Sequence, residues 1–113
     1  MKTFLREFQS QPMSFGMFTR GWGCGYVVLP KGHPYHGKTW EELPFDVHGG
    51  ITFSQFAPDW AEDFDFNQDE WVIGFDTAHY GDTMETCPKE YVVEQTEYLK
   101  KQCEEALNEN QQG

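Results

Sequence analysis

Basic residues are scarce in this 113-residue chain: eight Lys and Arg stand against 19 Asp and Glu, a formal net charge of −11. Nucleic-acid binding needs a basic footprint to neutralise phosphates, so direct binding to DNA or RNA is excluded as an expectation. An anionic membrane surface is disfavoured on the same ground, and no apolar run approaches the length of a membrane span. Cysteine is sparse too. Cys24, Cys87 and Cys103 lie far apart with no CxxC pair, and an odd number without a secretory leader reads as reduced thiols. The opening MKTFLREFQSQP has Arg6 and Glu7 where a signal peptide needs an apolar stretch. The expectation is a cytoplasmic protein. P-loop, GxGxxG, GxSxG and HExxH motifs are all missing, which removes the most familiar nucleotide, nucleophile and zinc signatures.

What the chain does have is aromatic surface. Ten Phe, five Tyr and four Trp make up 17% of it, enough to build a core despite few aliphatics, because each ring carries a large apolar area. The length suits one domain, 1–113. Residues 2–9 read as a short amphipathic helical piece, with Phe4, Leu5 and Phe8 on one face and Pro12 ending it. Gly21, Gly23 and Gly25 lead into a strand from Tyr26 to Leu29, which Pro30 stops. KGHPYHGK is a loop. In TWEEL, Thr39 and Glu42 match a capping box for one helical turn. FDVHGGITFSQF reads as a second strand interrupted by Gly49 and Gly50, and Trp71–Asp76 as a further strand. A helix is expected from about Pro88 to Leu107, with Val92, Thr96, Leu99, Cys103 and Ala106 on one face and a fraying tail. The fold class that follows is α+β: an antiparallel β-sheet of about four strands packed against a C-terminal α-helix.

The candidate site comes from the four histidines. His33, His36, His48 and His79 all fall in loops or at strand ends, beside or within two residues of glycine or proline. In DVHGG, Asp46 and His48 would share one strand face, and Gly49 and Gly50 would let backbone N–H groups approach an anion. In GFDTAHYGD, Asp76, His79 and Asp82 follow one another in a tight turn closed by Gly81. The expectation is a ligand-binding pocket at one end of the sheet formed by Asp46, His48, Asp76, His79 and Asp82, with His33, Gly49 and Gly50 at its rim. Imidazole and carboxylate together also suit a divalent metal. In that alternative His48, Asp76, His79 and Asp82 hold the metal of a hydrolase acting on phosphodiesters, and His33 or His36 is its general acid.

Two other signals are weaker. Asp63, Asp65, Asn67 and Asp69 alternate like EF-hand ligands, but Gln68 stands where the loop glycine belongs and Gly74 where the bidentate glutamate belongs. A solvated acidic loop is the better reading. Cys24 sits among glycines, yet no histidine is assigned to it, and a small residue at a tight strand entry explains it.

The trio GYVVLPKGHP, DVHGGITF and GFDTAHYGD, in this order, resembles a family of small proteins encoded by bacteriophages and bacterial mobile elements. The resemblance covers roughly residues 21–83 and carries no catalytic residue or cofactor across. It implies a phage setting in a host cytoplasm, where a small acidic protein with a polar pocket would serve as a counter-defence factor that binds a nucleotide or cyclic-nucleotide immune signal. The rival of another class is an acidic-surface interaction protein that mimics DNA. Enzyme or binder is left open, and a homo-oligomer is compatible with the sequence.

Overall fold

The computed structural model describes residues 1–8, 20–56 and 69–112. Its elements in chain order are β1 (Thr3–Glu7), β2 (Gly23–Leu29), a 3₁₀ turn (Trp40–Glu42), β3 (Phe53–Phe56), β4 (Trp71–Asp76) and α1 (Lys89–Gln112). The four strands form one antiparallel sheet in the order β1-β2-β4-β3, and α1 packs across β2 and β1.

The two most apolar runs occupy the middle of the sheet because only there are both strand faces covered. Val27, Val28 and Leu29 of β2 and Val72 and Ile73 of β4 are fully buried, each burial contributing about 1.5–3 kcal/mol. The helix-side face gathers Val27, Leu29, Trp71, Ile73 and Phe75 against Val92, Leu99 and Cys103 of α1. The opposite face gathers Tyr26, Val28 and Val72, with Phe4, Cys24 and Phe53 against them. Helix and sheet approach closely where β2 has no side chain: a Cβ on Gly25 would overlap Thr96 Oγ1 and the Phe75 ring. Thr96 is itself buried and donates to Val92 O at 2.7 Å.

Four local expectations are corrected. Residues 2–9 are not helical: Thr3–Glu7 is an edge strand, with Phe4 opposite Tyr26 and Leu5 opposite Gly25. Phe4 packs on one sheet face and Leu5 on the other, which is strand alternation. The stretch Phe45–Thr52 is not a strand, so Asp46 and His48 do not share a strand face; only Phe53–Phe56 joins the sheet. Its backbone instead bonds to the helix. Gln95 Oε1 accepts from His48 N at 2.8 Å, Gln102 Oε1 accepts from Asp46 N at 2.8 Å, and Gln102 Nε2 donates to Asp46 O at 2.6 Å. At the 3₁₀ turn Thr39 makes no side-chain cap; main-chain bonds from Glu42 N to Thr39 O and Leu43 N to Trp40 O close it. The helix also continues past Leu107 to Gln112.

Among the described residues no helix is long and apolar enough to cross a membrane. The acidic loop, with Asp63, Asp65 and Asn67, lies outside the described residues.

Candidate functional site

Three segments meet at the Asp76 end of β4. The first is the β-turn Val47–Gly50, in which Gly50 N donates to Val47 O at 2.8 Å. Gly49 sits at φ +70° and Gly50 at +84°, so this turn places His48 at a bend that side-chain-bearing residues would resist. The second is the loop after β4, in which Asp82 N donates to His79 O at 2.9 Å. The third is the start of α1, reached through Cys87 and Pro88.

Asp82 is the hub. Its side chain is nearly buried, and His48 Nε2 lies 3.0 Å from each carboxylate oxygen. His79 N donates to Asp82 Oδ2 at 2.9 Å, and His79 Nδ1 lies 3.3 Å from the same oxygen. Cys87 Sγ is 3.6 Å from Asp82 Oδ1 and 3.9 Å from His48 Nε2. Burial alone would raise the Asp82 pKa, but the hydrogen bonds from His48 and His79 and the charge of His48 outweigh it, and the net direction is down. An ionised carboxylate only accepts, so Nε2 of His48 carries the proton. Its Nδ1 is hydrogen-bonded to the Tyr91 hydroxyl at 2.8 Å. Tyr91 is held neutral, its pKa raised by burial and by the neighbouring Cys87 and Asp82.

His79 differs from His48 in being about a third exposed. Its Nδ1 lies between two carboxylates, 3.3 Å from Asp82 and 3.5 Å from Asp76, so Nδ1 is the donor and Nε2 is the nitrogen left to face a ligand. The ring packs against bare Gly49, where a Cβ would overlap it, and its centroid is 5.6 Å from that of His48. Asp76 is itself oriented: Thr52 Oγ1 donates to its Oδ2 and Ala78 N to its Oδ1, both at 3.0 Å.

His48, Gly49, Gly50, Asp76, His79 and Asp82 are therefore brought together. Asp46 is not. It faces α1, where Tyr98 OH donates to its Oδ2 at 3.3 Å. His33 does not reach the rim either. It is buried near the far end of α1, with Nε2 2.8 Å from Cys103 O and Nδ1 accepting from Tyr35 N at 3.0 Å. With Nδ1 an acceptor, Nε2 is the donor and the ring is neutral. His36 lies by the Trp71 end of β4, 2.6 Å from Asp69 O and against Phe56 and Trp71. The general-acid role given to His33 or His36 fails for this reason: β4 separates them from Asp82 by its own length. The anion-nest idea also weakens, since the Gly50 amide is used within its own turn.

Sequence reasoning missed Cys87, Tyr91 and Gln95. The last two belong to a polar line on α1, Tyr91, Gln95, Tyr98 and Gln102, beside the apolar one, and this helical spacing was a readable signal. Cys87 had none. Its thiol is buried, and burial together with Asp82 raises its pKa, so it is a protonated thiol and a poor nucleophile. His48 offers it no base, because the nitrogen facing the sulfur already donates to Asp82. Cys24 is likewise raised by burial, and all three cysteines are free. No protein-family model matches the chain, and no curated protein or solved structure matches it either.

Proposed function

We propose that this chain binds a small polar ligand of the nucleotide class at the end of the sheet where His48, Asp76, His79 and Asp82 meet, as a sequestering protein of the counter-defence kind. The observation that supports the reading is the paired imidazole arrangement: Asp82 contacts both rings, and His79, about a third exposed, is the more open of the two. Such a ring presents its Nε2 to a hydrogen-bonding ligand in a set orientation at little entropic cost. Tyr80, next to it in sequence, is fully exposed and supplies a face on which a base stacks. With two carboxylates beside the site, phosphates would enter together with a cation. Sequestration is favoured over turnover because, among the described residues, the cluster pairs no free nucleophile with a free base.

The test incubates the purified protein with a panel of cyclic dinucleotides and ADP-ribose derivatives, with and without EDTA, then heats it and identifies what is released. Recovery of an intact ligand supports sequestration. Metal-dependent conversion replaces it with hydrolysis. If nothing is depleted, the nucleotide reading is wrong.

A further inference from the structure

We propose that His48 Nε2, an Asp82 carboxylate oxygen and Cys87 Sγ form a zinc site beside the partly exposed His79. The proposal does not rest on the nucleotide reading, because metal content is read on ligand-free protein.

The three donor atoms all lie within 4.8 Å of one another. A tetrahedral zinc with ordinary bond lengths would separate nitrogen from oxygen by about 3.4 Å, and sulfur from either by about 3.6 Å. The observed separations are 3.0 Å for His48 Nε2 to Asp82, 3.6 Å for Cys87 Sγ to Asp82 Oδ1 and 3.9 Å for Cys87 Sγ to His48 Nε2. Shifts of a few tenths of an ångström close the set around one ion. Chemistry selects the metal: a thiolate with an imidazole and a carboxylate suits a borderline-soft ion such as zinc, and argues against magnesium or calcium, which take oxygen donors. Each ligand is also supported from behind, as zinc ligands are. Binding would release the Cys87 thiol proton and leave His48 protonated on Nδ1 alone, which then donates to the Tyr91 oxygen 2.8 Å away; His79 N holds Asp82 Oδ2, and Cys87 N donates to Thr83 O at 2.8 Å. Three protein ligands leave a fourth position for water or a bound molecule.

The experiment uses tag-free full-length protein, stripped with chelator, reloaded with excess Zn²⁺ and desalted, with zinc counted by mass spectrometry. One equivalent per chain is expected. Reloading with Co²⁺ should give a thiolate-to-cobalt charge-transfer band and the intense visible bands of tetrahedral cobalt. Cys87→Ser should abolish the charge-transfer band and weaken zinc binding on the order of 100-fold or more. Cys24→Ser, which changes a thiol packed on the sheet's other face, should keep both. Substoichiometric zinc in the wild type, cobalt bound without thiolate character, or a band that survives Cys87→Ser would each overturn the proposal. Should Cys87→Ser not fold, the wild-type stoichiometry and cobalt spectrum decide it unaided.

Discussion

His48 and Asp82 meet across 34 positions of sequence, with His48 Nε2 3.0 Å from both carboxylate oxygens. This contact ties the turn before β3 to the loop after β4, and Tyr91 extends it to the helix. Asp82→Asn keeps the shape but replaces an acceptor with an amide donor facing His48 or His79. Because the group is nearly buried, a loss of about 1–3 kcal/mol is expected. Urea unfolding of the two proteins measures it; a loss below about 0.5 kcal/mol would mean the contact is not maintained in solution.

Gly49 and Gly50 separate two causes of strain. Both have positive φ, which costs a side-chain-bearing residue about 1–2 kcal/mol. Only at Gly49 would a Cβ also overlap the His79 ring; at Gly50 nothing lies within 4 Å. Gly49→Ala should therefore destabilise more than Gly50→Ala, by about 1–3 kcal/mol for the added overlap. Equal losses in thermal or urea unfolding would place the His79 ring elsewhere.

Stability should fall as the medium is acidified past the unfolded histidine range, and His33 is one identifiable cause. Burial lowers its pKa, ahead of the opposing bond to Cys103 and the small effect of His36. Above about pH 6.5 both folded and unfolded chains hold a neutral ring, and the contribution is complete. Below it the unfolded chain takes up a proton that the folded chain accepts only at lower pH, so unfolding is favoured. Unfolding free energies at pH 7.5 and 5.5 should differ more for the wild type than for His33→Gln. An identical pH dependence in the two would remove His33 from the account.

The acidic-surface alternative makes a separate forecast. Reversing the charge of Asp63, Asp65 and Asp69 together should leave nucleotide depletion unchanged. If the variant loses biological activity while its ligand and metal binding stay intact, the acidic surface is the working part.

The central strands and the helix were legible because their signals are local. Val27–Leu29 and Trp71–Phe75 are continuous apolar runs, and Val92, Thr96, Leu99 and Cys103 keep one helical face. Thr3–Glu7 was misread because Phe4, Leu5 and Phe8 fit a helical face as well as a strand, and pairing with β2 decided between them. Phe45–Thr52 looked like a strand, but the glutamines of α1 satisfy backbone groups that a sheet would otherwise take. At the site, the turn residues His48, His79 and Asp82 were visible as polar groups beside or close to glycines. Cys87 could not be seen, since its meaning comes from His48, 39 positions away.

The most direct test of the ligand site compares wild type with His79→Ala in the nucleotide depletion assay. His79 is partly exposed, so the variant should fold, as its circular dichroism and melting temperature will show. The account predicts that the wild type depletes one ligand of the panel and that His79→Ala depletes it at least about tenfold less well, a difference of about 1.4 kcal/mol in binding. Undiminished depletion by a folded His79→Ala protein would contradict it.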